Sequence, residues 1–153
     1  MVKDLSVELH GYEMKNPVIP ASGTFGFGRE FAECYDINIL GSMSLKGTTA
    51  EARYGNPLPR IAECTAGLIN AIGLQNPGVK AVIEEEIPQL DKVYRGKVIA
   101  NVGGHSVEEY VRTASAFNTC DKVFAVELNI SCPNVKGGGM AFGTDPEIAK
   151  NLV

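Results

Sequence analysis

"KVIANVGGHSVEEYVRTASAFNTCDKVFAVELNIS", Lys97 to Ser131, decides the fold. Its first eight residues are an apolar run ending in two glycines, the pattern of a strand followed by a turn. Ser106, with Glu109 three residues on, forms a capping box, and the helix it starts is expected to run through "VEEYVRTASAF". "KVFAVELNIS" is a second strand, and its nearly continuous apolar character suits burial on both faces. Strand, helix and strand in this order predict a right-handed βαβ unit with the two strands parallel.

The alternation extends outward. Downstream, Asp145-Pro146 begins another helix, with Pro at a favoured first-turn position and Ile148, Ala149, Leu152 and Val153 as its expected buried stripe. Upstream, Gly78 to Tyr94 carries a helical stripe of Val79, Val82, Ile83, Ile87 and Leu90, which Pro88 is expected to kink or end early. "INILGSMSL" reads as an apolar strand after the short helical piece "REFAECYD", with a loop at "KGTT" behind it. Pro57 and Pro59 mark a further loop before "GLINAIGLQNPG", by itself a polar turn. At the start, "LSVELHGYEMKNPV" alternates polar and apolar residues on both sides of His10-Gly11, the signature of an N-terminal β-hairpin. Val18-Ile19 then leads into the small-residue loop "PASGTFGFG".

About four βα units are visible, whereas a closed eight-stranded parallel barrel takes about 250 residues. The expectation is a single domain over 1–153 that forms half of such a barrel. Polar and glycine clusters follow the strands, at Ser22-Gly23, Lys46-Gly47, Asn101 with Gly103-Gly104, and Asn129 to Asn134. Ligands of parallel α/β sheets bind at the carboxyl ends of strands, so these clusters are expected to share one site.

Composition narrows the class. A chain of 153 residues with 44% hydrophobic and 21% charged content suits an ordinary globular domain. A net charge of −4 points to neither a nucleic-acid nor a membrane surface, and no apolar run approaches the roughly 20 residues of a membrane span. Without a signal-peptide core at the N-terminus, a cytoplasmic protein is expected. Cys34, Cys64, Cys120 and Cys132 form no C-x-x-C pair and the histidines are only His10 and His105, so no metal site is expected in the chain. Neither histidine has an evident catalytic partner, and Glu84-Glu85-Glu86 reads as a solvated helix face. Cys34, Cys64 and Cys120 read as small buried hydrophobes.

Two residues carry competing readings. Cys132 is either an ordinary loop thiol or a reactive one between two asparagines and ahead of Gly137, Gly138 and Gly139, which form a harmless loop or a lid hinge. Lys46 ends a buried apolar run, where it either snorkels to solvent or meets an anionic partner. There is no G-x-G-x-x-G fingerprint and no Walker motif, and Gly103-Gly104 is a weak signal for a phosphate loop.

"PASGTFGFG", "SLKGTT", "NAIGLQNPG", "NVGG" and "ELNISCPNVKGGGMAFGTDPE" stand in the order and spacing of dihydroorotate dehydrogenases, and the chain resembles the NAD-linked class 1B catalytic subunit of that family. The resemblance covers essentially the whole chain but only the N-terminal half of the family's (β/α)8 TIM barrel. It implies an FMN-dependent oxidation of dihydroorotate to orotate in pyrimidine biosynthesis. Cys132 is the implied catalytic base, taking the C5 proton while hydride leaves C6 for the flavin. Such a base must be a thiolate, and a free cysteine titrates near about 8.5, so activity is expected to rise with pH unless Lys136 or another cation favours the thiolate. Ser22, Lys46, Gly47, Asn101 and Asn129 are the implied FMN contacts. Lys46, Asn70, Ala71, Ile72, Gly73, Leu74, Asn129 and Asn134 are implied at the substrate. The family passes its electrons to NAD through a separate subunit carrying FAD and a [2Fe-2S] cluster, so a homodimer joined to that subunit is the implied assembly. Two rivals remain open: another FMN-dependent dihydropyrimidine oxidoreductase, and a non-catalytic half-barrel serving as an assembly unit, since the family's second-half lysine, second substrate asparagine and phosphate loops are not in this chain.

Overall fold

The computed structural model describes residues 3–132 and 139–153. Its centre is a set of parallel extended segments. Strand β5 (Val98–Val102) pairs in parallel with β6 (Val123–Leu128), with Asn101 opposite Glu127 and Val102 opposite Leu128. On the other edge of β5 runs an extended segment over 43–48, bridged in parallel at Ser44–Ile99 and Thr48–Val102. Its ladder includes Leu45 N–H to the Ile99 carbonyl and Thr48 N–H to the Asn101 carbonyl, both 2.9 Å. Beyond it lies the stretch 18–20, whose Pro20 carbonyl accepts from Ser44 N–H at 3.1 Å.

Helix α4 (Val107–Phe117) connects β5 to β6 and packs on both. Ser106 Oγ accepts from Glu109 N–H at 3.3 Å, and Glu109 reaches back one residue past the cap to take His105 N–H at 2.8 Å. The expected capping box is therefore present in a shifted form. Tyr110, Thr113 and Phe117 are the buried face of α4. They close over Val98, Ala100 and Val102 of β5, all fully buried, while Met43, Leu45, Val82, Leu90 and Tyr94 fill the same core.

At the N-terminus β1 (Val7–Leu9) and β2 (Tyr12–Met14) form an antiparallel hairpin around His10-Gly11. Helix α1 (Arg29–Ala32) is short. "INILGSMSL" is not one strand. Asp36 accepts from Asn38 N–H and caps a 3-10 turn over Ile37–Ile39, and only the later residues run extended. A second antiparallel hairpin, β3 (Ile61–Cys64) with β4 (Gly67–Asn70), occupies what reads as loop in the sequence. All eight of its residues are exposed, so neither face carries the in-out alternation that would have announced it.

The helix after Gly78 runs as α2 (Val79–Ala81), a π-helical turn (Val82–Glu86) and α3 (Ile87–Asp91). Pro88 therefore neither ends nor starts the element. The widened turn just ahead of it relieves the clash a proline ring makes with the preceding turn's carbonyl. Val79, Val82, Ile87 and Leu90 are buried, as the stripe requires.

Three further expectations need correction. Strand β6 is not buried on both faces: Val126 is 38% exposed, because β5 is the sole strand β6 pairs with among the described residues. Following α5 (Met140–Gly143), helix α6 (Pro146–Leu152) is capped by Asp145, yet only Leu152 of its stripe is buried while Ile148 and Val153 are exposed. Cys34 and Cys64 are exposed and not core residues, whereas Cys120 is half-buried and packs against the core; all four cysteines are free thiols. Among the described residues no helix is long and apolar enough to cross a membrane.

Candidate active site

The carboxyl ends of the parallel segments and the β3–β4 hairpin enclose a cavity of about 650 Å³, within the range of small-molecule and cofactor sites. Ser22, Lys46, Gly47, Asn70, Ile72, Gly73, Leu74, Asn101, Asn129 and Cys132 all line it. Ala71 does not line it; its N–H continues the hairpin by donating to the Arg60 carbonyl at 2.9 Å. Asn134, Lys136 and two of the three hinge glycines, Gly137 and Gly138, lie outside the described residues.

Lys46 and Glu127 are the charged residues that line the cavity. Lys46 is half-buried at the end of the 43–48 segment, and its ammonium forms no ion pair or hydrogen bond among the described residues. A cation held this way against a cavity favours an anionic occupant. Next to it Gly47 is fully enclosed. A Cβ there would meet Leu74 Cδ1 at 2.7 Å and Asn101 Oδ1 at 2.8 Å, so glycine is what lets the neighbouring amides approach.

Those amides form a continuous polar chain. Ser44 Oγ donates to Glu127 Oε2 at 2.6 Å, Asn101 Nδ2 donates to the same oxygen at 2.7 Å, and Asn129 Nδ2 donates to Asn101 Oδ1 at 3.1 Å. Glu127 and Ser44 are functional candidates the sequence reading passed over. The signal was available, since a carboxylate inside the apolar run "KVFAVELNIS" needs a polar partner as much as Lys46 does. Ser22 is committed as a donor, giving its hydroxyl proton to the Leu45 carbonyl at 2.6 Å, so toward a ligand it can only accept.

The 70–78 loop is held from beneath by Asn76, which is buried. Its Oδ1 accepts from Thr49 N–H at 3.1 Å and Gly78 N–H at 3.0 Å, and its Nδ2 donates to Thr49 Oγ1 at 3.0 Å and the Leu74 carbonyl at 2.8 Å. This fixes Leu74 in a left-handed conformation, φ 58°, uncommon for a leucine and of the kind found where a site imposes strain.

Cys132 is half-buried at the cavity edge. Its carbonyl accepts from Met140 N–H at 3.1 Å, and Gly139, at φ 53°, comes so close that a Cβ would sit 2.5 Å from that carbonyl. Beneath lies Tyr110, whose hydroxyl donates to the Asn129 carbonyl at 2.6 Å. Burial pushes the Tyr110 hydroxyl above its ordinary pKa, opposed by the N–H groups of Gly104 and Gly139, with Glu109 and Cys132 adding to the rise. One phenol thus ties together the ends of β5 and β6 and the return of the Cys132 loop. His105 contacts the guanidinium of Arg53, which is not among the residues lining this cavity.

Residues 4–153 match the family model described as dihydroorotate dehydrogenase. The chain belongs to the dihydroorotate dehydrogenase family. Among its relatives, the "Dihydroorotate dehydrogenase B (NAD(+)), catalytic subunit" of Bacillus pumilus is 58% identical over 148 residues, 97% of this chain and 47% of that protein. The proteins of the same name from Anoxybacillus flavithermus and Bacillus cytotoxicus are 59% and 57% identical, over 97% of this chain and 47% and 48% of their own lengths. The chain thus spans about half the length of these dihydroorotate dehydrogenase relatives, and Cys132, Lys46 and the amide chain all fall within the matched residues.

Proposed function

We propose that this chain is the N-terminal half of a (β/α)8 barrel that, at the length of its relatives, oxidises dihydroorotate to orotate in pyrimidine synthesis in the cytoplasm. The observation that carries this reading is the half-buried Lys46, without a partner among the described residues, facing the same cavity as Cys132, Asn101 and Asn129. Dihydroorotate is a carboxylate on a ring of alternating amide donors and acceptors, and asparagines with both kinds of group match it.

The residues also fit an FMN. Lys46 would face its negative charge, Gly47 would leave room for its ring, and Ser22 and Asn101 would bind its polar edge. When bound, FMN supplies the hydride acceptor. The Cys132 thiolate takes the C5 proton onto Sγ as the C5–C6 double bond forms and hydride leaves C6. Asn70, Gly73, Leu74 and Asn129 hold the ring so that C5 faces the sulfur, with Ile61 and Leu68 of the exposed hairpin limiting water at one wall. The names of the relatives support NAD as the final acceptor and a second subunit to reach it; the FAD and [2Fe-2S] carrier, and a homodimeric core, follow the family resemblance.

The test is the full-length protein, purified without air. Its flavin absorbance is expected to bleach with dihydroorotate, and Cys132→Ala is expected to lose turnover by at least a thousandfold while retaining flavin. Cys132→Ser should be impaired as well, since a hydroxyl is a far weaker base at the same pH. Bleaching by dihydrouracil but not by dihydroorotate, or near-normal turnover in Cys132→Ala, overturns the assignment.

A further inference from the structure

We infer that Glu127 sets the direction of the amide hydrogen bonds along the cavity floor, so that Asn129 presents its carbonyl oxygen, and not its NH2 group, to a ring N–H of the bound pyrimidine. This rests on the dihydroorotate reading and adds a specificity-positioning residue to it.

A carboxamide is two-ended, with an acceptor and a donor of nearly the same shape, and its direction is free unless a neighbour forces it. Glu127 is such a neighbour. It stands opposite Asn101 in the β5–β6 register, and a carboxylate only accepts. Asn101 must therefore turn Nδ2 toward Glu127 Oε2, the 2.7 Å bond observed. Its Oδ1 then faces Asn129, which must donate, giving the 3.1 Å bond from Asn129 Nδ2. The acceptor that remains on Asn129 is Oδ1, and it takes no hydrogen bond among the described residues. One negative charge two residues back along β6 thus decides which polarity the ligand meets.

The consequence is unlike that of a merely structural glutamate. In Glu127→Gln the shape is retained, but the new amide can offer NH2 to Asn101, and the Ser44 hydroxyl can accept as readily as donate. The whole chain can then invert without losing a bond, and Asn129 would show NH2 to the ligand. A change of selectivity, and not of folding, is the expected signature.

The experiment uses the full-length, flavin-loaded protein and orotate analogues in which one ring N–H is replaced by C–H, with dissociation constants read from the perturbed flavin spectrum. In the unmutated protein one analogue is expected to bind at least tenfold more weakly than orotate. In Glu127→Gln that ratio is expected to fall to within about threefold, with flavin content unchanged. Ser44→Ala removes another bond to the same carboxylate but not its polarity, and is expected to keep the full ratio. A ratio unaltered in Glu127→Gln overturns the inference, as does its equal collapse in Ser44→Ala. Should Glu127→Gln lose its flavin, the unmutated protein still decides, because equal binding of orotate and both analogues overturns it. Failure of dihydroorotate to bleach the unmutated flavin would refute the dihydroorotate reading instead, and is seen separately.

Discussion

Replacing Asn76 by alanine tests whether the 70–78 loop is held from below by one amide. Asn76 is 5% exposed and fixes four groups: two backbone N–H donors, of Thr49 and Gly78, the Leu74 carbonyl and the Thr49 hydroxyl. Alanine satisfies none of them. The Thr49 hydroxyl keeps its 2.6 Å bond to the Glu51 carbonyl, and the Leu74 carbonyl has a second lone pair, so the cost falls mainly on the two N–H groups. Each buried donor left unpaired costs about 1–3 kcal/mol, which gives about 4 kcal/mol for the pair. The full-length relatives are roughly 315 residues, since 148 residues make up 47% of one. At about 2.1 cal/mol/K per residue, the unfolding entropy of a protein that size turns about 4 kcal/mol into a fall of about 6 °C in Tm. Hydrogen exchange should localise the damage, with protection lost first at the Thr49 and Gly78 amides. A Tm within 1 °C of the unmutated protein, or loss of protection elsewhere, would refute the reasoning.

Three further outcomes follow from individual contacts. Tyr94 is buried with its hydroxyl unpartnered among the described residues, and burial raises its pKa to about 12. Because the folded value lies above the unfolded value of about 10, its contribution is complete below pH 10 and is lost as pH rises toward 12; Tyr94→Phe should match the unmutated protein within about 1 kcal/mol at pH 7 and exceed it by on the order of 2 kcal/mol near pH 12, which denaturant midpoints across that window would check. Gly47→Ala should place a methyl 2.8 Å from Asn101 Oδ1 and cost about 1–3 kcal/mol of overpacking, read as a lower flavin content after purification; full flavin content and unaltered orotate binding would count against the close approach. Lys46→Ala should make bound flavin harder to reduce, since a cation stabilises the reduced anion, and an unchanged reduction potential would remove Lys46 from that role.

How much of this was legible in the sequence depends on whether a residue's burden is local. The β5–α4–β6 unit could be read because each part carries its own signal: an apolar run for each strand and a cap at Ser106 for the helix between them. The β3–β4 hairpin could not, because Ile61, Leu68 and Ile69 are exposed and no core face imposes a period of two. "INILGSMSL" misled because a propensity for strand lost to a side-chain cap at Asp36, a contact two residues long. The opposite error arose at β6 and α6, where apolar residues read as buried are exposed: Val126, Ile148 and Val153 have no cover among the described residues.

The site divides along the same line. Residues that touch the cavity could be picked out one by one, because Lys46, Asn101, Asn129 and Cys132 are chemically conspicuous at strand ends. What sequence could not show is how they are held. Glu127 lies 83 residues from Ser44 and 26 from Asn101, and one carboxylate oxygen binds both. Tyr110 reaches the Asn129 carbonyl from a helix surface 19 residues back. Asn76, which reads as one turn-forming asparagine among several, is the buried member that keeps Leu74 at φ 58°. In each case a conspicuous residue lines the cavity and a less conspicuous one hydrogen-bonds to it or to its backbone. Parallel strands make this arrangement natural, because neighbours across the ladder are far apart in sequence while their side chains share a face. The exposed flank of β6 extends the argument: a ladder that orders Ser44, Asn101 and Glu127 across three adjacent segments has its next pairing edge at β6, where a further parallel strand would cover Val126 and bring its own polar end to the same cavity.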